Sequence, residues 1–257
     1  MSARAEESPA SWRLSTGVNY SRGDYANAIE TEVVSVPVSL KLTNGGFSIR
    51  ASVPWLHVSG PGAVIEGIGG SGVSIGGGAG GSGATTGGVQ GDVADRGVSG
   101  LGDLGVALGY TIDLGGDAYV DVTARVKLPT ASRRKGLGTG ETDVTLGAEL
   151  AKYFGAVGIY GGARRKFAGD SATFPVRNTW SATGGISLDA SDTVTLGVDY
   201  DWLQSSFRGR QSINEVTAWS NVRLSDRVRL NIYGTTGLNA NSVDFAGGLS
   251  VSYRFGR

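Results

Sequence analysis

The sequence predicts an all-β fold, a 12-stranded antiparallel transmembrane β-barrel running as an up-and-down meander. Three observations predict it. Apolar and polar residues alternate with a period of two in segment after segment. The segments are even in number, and their length suits a tilted bilayer crossing better than the five- or six-residue strands usual in a sandwich. The connections between them are alternately short and long.

Residues 119–128 show the alternation most clearly. Val120, Val122, Ala124, Val126 and Leu128 are apolar, whereas Asp121, Thr123, Arg125 and Lys127 are polar or charged. As a strand this gives one apolar and one hydrophilic face; as a helix it would spread charge around every side. The other segments follow in order. Residues 11–22 place Trp12, Leu14, Val18 and Tyr20 on one face, and 29–42 place Val34, Val36, Val38, Leu40 and Leu42. Residues 47–59 place Phe47, Ile49, Ala51, Val53 and Trp55; 101–114 place Leu104, Val106, Leu108, Tyr110 and Ile112. After 119–128 come 142–154 (Val144, Leu146, Ala148, Leu150), 156–167 (Val157, Ile159, Ala163) and 177–188 (Trp180, Ala182, Ile186, Leu188). The last four are 193–203 (Val194, Leu196, Val198, Tyr200, Trp202), 213–224 (Val216, Ala218, Val222, Leu224), 227–236 (Val228, Leu230, Ile232) and 243–255 (Val243, Phe245, Leu249, Val251, Tyr253, Phe255).

The tight connections, at 43–46, 115–117, 155, 189–192 and 225–226, are rich in Gly, Asn, Asp and Ser, the residues of hairpin turns. The longer ones span 23–28, 60–100, 129–141, 168–176, 204–212 and 237–242. An even-stranded membrane barrel with this alternation keeps its short turns and both termini on the periplasmic side. Trp12, Trp55, Tyr110, Trp180, Trp202, Tyr253 and Phe255 fall near strand ends on the apolar face, as an aromatic girdle requires. Trp219 has the opposite parity and is expected inside. Pro37 and Pro54 lie inward in neighbouring segments, where a missing donor predicts a bulge or a mispaired stretch.

Composition narrows the functions. The chain has no Cys and one His, so a thiolate metal site, a disulfide scaffold and a His-cluster metal site are not expected, and no cofactor is. Lys+Arg and Asp+Glu both number 23, which argues against a dedicated nucleic-acid partner. Residues 1–10 carry no apolar core and read as a disordered tail, not as a signal peptide. The expectation is a mature exported form, with residues 11–257 as a single barrel and 60–99 as a long Gly-rich extracellular loop of linker-like composition.

Short motifs add a resemblance. Val53-Pro54-Trp55, Gly60-Pro61-Gly62, Gly100-Leu101-Gly102-Asp103-Leu104, Val126-Lys127-Leu128-Pro129-Thr130 and the run from Gly136 to Asp143 (GLGTGETD) are similar to the outer-membrane proteins grouped as the "MetA-pathway of phenol degradation" family. The resemblance implies a barrel in the bacterial outer membrane, of Gram-negative origin, that transports small solutes, aromatic or hydrophobic ones among them. It assigns no substrate residues. Outer-membrane lipids, lipopolysaccharide and the barrel-assembly machinery are the partners expected beside the solute, and Arg133, Arg134 and Lys135 are candidates for lipopolysaccharide phosphates.

The inward parity predicts the lining of the lumen. Its charged candidates are Arg13, Lys41, Arg50, Asp121, Arg125, Lys127, Glu149, Arg164, Asp199, Arg223, Arg229 and Asp244. With Asp103, Asp113, Asp143, Lys166, Asp201 and Arg254 the set is a near balance of ten cations and eight anions. Such a face fits a selective channel. It equally fits a sealed structural barrel that works through its loops, its interior closed by ion pairs. No catalytic residue set is expected. A remote alternative is a lipid hydrolase built on His57 and Ser59, which share a face.

Overall fold

The computed structural model describes residues 10–24, 30–60, 97–170 and 176–256. Most of the expected tail and of the Gly-rich loop, residues 1–9 and 61–96, lies outside them. The strands are β1 (Ser11–Gly23), β2 (Thr31–Asn44), β3 (Phe47–Ser59), β4 (Val98–Leu101), β5 (Leu104–Gly115), β6 (Ala118–Leu128), β7 (Asp143–Phe154), β8 (Val157–Phe167), β9 (Thr179–Ser191), β10 (Val194–Leu203), β11 (Ile213–Arg223), β12 (Val228–Gly237) and β13 (Phe245–Phe255). Both β4 and β5 pair with β3 and together make one crossing, so the barrel has twelve staves. Every neighbour pairs antiparallel, and the β1–β13 and β2–β3 ladders close the sheet on itself. The expected meander is therefore present.

The two faces separate as the alternation requires. Leu14, Val38, Ile49, Leu108, Val122, Leu146, Ile159, Ile186, Leu196, Ile232 and Leu249 are exposed on the outside. The buried residues are mostly polar and lie inside: Asn19, Ser35, Asp121, Glu149, Asp199, Asp201, Glu215, Thr217 and Asn231. A barrel with an apolar exterior and a polar interior is built for hydrocarbon outside and water or internal pairing inside. Aromatic side chains gather at both ends. Near the short turns Trp12 stacks on Phe255 at 6.4 Å and Phe47 meets Tyr110 at 4.4 Å. Near the long loops Trp55 and Trp180 are exposed and Trp202 is half-buried. The Arg165 guanidinium lies 5.1 Å from the Trp180 ring centre.

Turn chemistry sets the short ends. Gly155 and Asp117 both hold positive φ, at 61° and 62°, a region that Gly enters freely and Asp tolerates.

The two prolines occupy one cross-strand pair. Pro37 faces Pro54 in an unshifted β2–β3 register. In an antiparallel pair both residues bond each other or both turn their polar edges away. The Pro54 carbonyl accepts the Gly102 N–H at 2.8 Å, so its edge faces β4 and that of Pro37 faces β1. The missing donors therefore fall on the flanking ladders. On one side Gly17 and Val18 have no partner in β2. On the other, Gly102 and Asp103 form a bulge that shifts the register by one residue between β4 and β5. The sequence pattern starts this crossing near Leu101; the bulge hides the three earlier residues, 98–100, by breaking their parity.

The last strand starts later than its alternation predicts. Strand β13 begins at Phe245, not at Val243. Val243 turns inward and packs with Val33 and Ala246 instead of joining the outer face.

Trp219 packs inside as its parity requires and donates to Asp199 Oδ2 at 3.0 Å. Its indole sits against Gly197 on the neighbouring strand, where any Cβ would collide with the ring. Gly197→Ala is expected to destabilise the barrel by about 1–3 kcal/mol through overpacking. A lowered urea midpoint in lipid vesicles measures this, and an unchanged midpoint refutes the packing described.

Candidate functional site

The barrel interior forms two walls of different character. On the wall made by β6 to β11, carboxylates are buried and satisfied. Asp121 accepts from the Thr111 hydroxyl. Glu149 pairs with Arg164 at 3.5 Å, and Arg164 also donates to Thr183 Oγ1 at 3.3 Å. Asp199 accepts from the Tyr160 hydroxyl and from Trp219, and Asp201 accepts from Thr183 Oγ1 at 2.6 Å. Glu215, 1% exposed, accepts the Val243 N–H at 3.3 Å. Supplying each acid with donors offsets the cost of removing it from water.

The opposite wall carries cations side by side. Register pairs Arg254 of β13 with Arg13 of β1, Arg13 with Lys41 of β2, and Lys41 with Arg50 of β3. Four like charges thus sit abreast on four consecutive strands. Register also pairs Arg223 with Arg229 near the same end. Among the described residues no carboxylate pairs with Arg13, Lys41, Arg50, Arg125 or Arg254. Arg13, Lys41, Arg50 and Arg125 are half-buried and keep contact with solvent. The near balance of charge in the sequence is therefore not a balance of accessible charge.

A third cluster lies at the long-loop mouth. Lys127 Nζ sits 2.9 Å from Asp143, 3.4 Å from Asp103 and 3.1 Å from Thr139 Oγ1. Asp103 also accepts the Ala131 N–H at 2.9 Å, and Thr130 Oγ1 bonds both Leu104 N and Gly102 O. These contacts pull the segment after β6 inward. It makes a short 3₁₀ turn, Arg133–Lys135, ended by Gly136 at φ 68°. Leu137 and Ala131 then bury against Leu56, with Val58 and Val98 beside them. The motifs at 100–104, 126–130 and 136–143 thus converge at one place, which spacing alone did not reveal, while Pro61 and Gly62 lie outside the described residues. The three basic residues of the turn are exposed, and Lys135 Nζ donates to the Ser99 carbonyl at 3.1 Å.

Two other candidates sit elsewhere. Asp244 precedes β13, is exposed, and donates its N–H to the Arg22 carbonyl at the rim. Arg223 ends β11, exposed, its guanidinium on the Asp192 carbonyl. His57 bonds Ser99 Oγ through Nδ1 at 2.7 Å and stacks near Trp55. Its hydroxyl partner is thus on the adjacent strand and is not Ser59. Among the described residues no group of His, Cys, Asp and Glu is arranged to hold a metal ion.

No protein-family model matches the chain, and none of the curated proteins compared matches it. The motif resemblance therefore rests on the motifs alone. Solved structures do match. The COG4313 outer membrane channel from Pseudomonas putida F1 is 14% identical with a TM-score of 0.72, over 99% of this chain and 100% of that one. The KdgM porin in complex with disordered oligogalacturonate is 9% identical with a TM-score of 0.56, over 96% and 99%. A deltaS2 mutant of the TodX monoaromatic hydrocarbon channel is 12% identical with a TM-score of 0.51, over 96% and 91%. At these identities the likeness is one of fold.

Two lysines of the inner face, Lys127 and Lys41, respond oppositely to one substitution. Lys127→Gln strands two carboxylates around the mouth and is expected to cost about 3 kcal/mol. Lys41→Gln relieves like charges on directly opposed positions and is expected to stabilise by roughly 0.2–1 kcal/mol. Urea midpoints of the two variants in vesicles, moving in opposite directions, check the assignment.

Proposed function

We propose that the chain is an outer-membrane channel for the passive passage of small solutes, aromatic or hydrophobic ones among them, and is not an enzyme. The observation that carries the reading is the inner face. It keeps charged side chains in contact with solvent inside a barrel whose outer face is apolar. A polar surface of this kind within a bilayer serves a water-filled path. The fold shared with the COG4313 channel and the KdgM porin supports it. Exposed Arg133 and Arg134 beside the mouth suit lipopolysaccharide phosphates.

Against the hydrolase alternative stands His57. A nucleophile of this type needs a base held by a third group. Among the described residues the one hydrogen bond of the His57 ring is to Ser99, and no carboxylate orients it.

Single-channel recording tests the proposal. Full-length protein, refolded in detergent and shown to be folded by heat-modifiable gel migration, is expected to carry steady current in a planar bilayer. A variant lacking residues 61–96 separates an open path from a plugged one: current only after the deletion makes that loop a plug. Absence of current from folded protein in both forms refutes a channel and leaves the sealed barrel.

A further inference from the structure

The wall formed by β13, β1, β2 and β3 carries three features in sequence from mouth to short-turn end. At the mouth the inner face is apolar. Val33, Leu56, Val58 and Ala246 sit where the alternation would place polar residues, and Val243 and Leu137 pack onto them from the neighbouring loops; Val33, Leu56 and Leu137 are each 4% exposed. Below them lie polar groups with nothing to bond. Asn19 faces Ser35 in register, both are buried, and Asn19 Nδ2 and Ser35 Oγ have no hydrogen-bond partner among the described residues. Lowest is the row Arg254, Arg13, Lys41 and Arg50.

Each feature has a cost. Apolar groups in a lumen interrupt water, buried donors without partners are unfavourable, and like charges abreast repel. One kind of ligand relieves all three. An apolar body fits the collar, and an anionic head accepts from Asn19 and Ser35 and then from the guanidinium and ammonium groups. Each acid of the opposite wall is held by donors of its own.

We infer that this wall selects small organic anions with an apolar body, the chemistry of an aromatic carboxylate or sulfonate. The inference rests on the channel reading above and names its solute class.

Reversal potentials across planar bilayers containing the full-length protein test it. The probes are potassium chloride, sodium benzenesulfonate and phenyltrimethylammonium chloride. Chloride is expected to permeate better than potassium, and benzenesulfonate better than the phenyltrimethylammonium cation of similar size. In the triple variant Arg13→Gln/Lys41→Gln/Arg50→Gln both ratios fall to parity while current persists. In Leu56→Ser, or Leu137→Ser if the first does not fold, the chloride preference stays but benzenesulfonate loses ground to chloride. A preference for potassium, or ratios unmoved in the triple variant, overturns the inference while leaving the channel reading standing. No current from folded protein overturns the channel reading itself.

Discussion

A bilayer offers a backbone no hydrogen bonds, and that constraint organises this molecule. Every N–H and C=O in the hydrocarbon layer needs a partner within the protein, so a sheet must close. The β1–β13 and β2–β3 ladders do this. Closure then forces one side chain of each successive pair to meet lipid and the next to meet the lumen. The exposed leucines, isoleucines and valines outside, and the buried Asp, Glu, Asn and Thr inside, follow from that single geometric fact.

The places where the rule is strained are informative. Two prolines in mid-wall remove two donors, yet the register between β2 and β3 is undisturbed because the prolines oppose each other with their edges turned away. The deficit moves to Gly17 and Val18 on one side and to the Gly102–Asp103 bulge on the other. That bulge helps bring Asp103 to Lys127, and the segment after β6 folds inward around the pair. A local backbone defect and the ion-pair cluster at the mouth are thus parts of one arrangement.

Much of the fold was legible in the sequence because a period of two survives any tertiary context that keeps one face in lipid. Trp219 on the wrong parity was correctly placed inside for the same reason. What the sequence hid depends on register or on loop conformation. Arg254, Arg13, Lys41 and Arg50 are far apart along the chain, and only the register sets them abreast. A count of charges saw balance because it could not see which acids carry donors. Val243 reads as the start of the last strand by parity alone; the loop before Phe245 turns it inward. Leu137 lies among glycines and gives no periodic signal, yet it is a buried residue of the mouth.

The central claim is that the β1–β2–β3 face of the lumen is a solvated, positively charged surface backed by lipid. The chain has no cysteine, so single substitutions can report on each face without background. The direct measurement is the labelling rate of Cys placed at Ser15 and Ser52 on the inner face, and at Leu14 and Ile49 on the outer face, in vesicles. Water-soluble thiosulfonates of opposite charge are the reagents. The account predicts that the two inner positions react, and react faster with the anionic reagent, while the outer two stay protected. Equal rates for both reagents at Ser15 and Ser52, or reaction at Leu14 and Ile49, would contradict it.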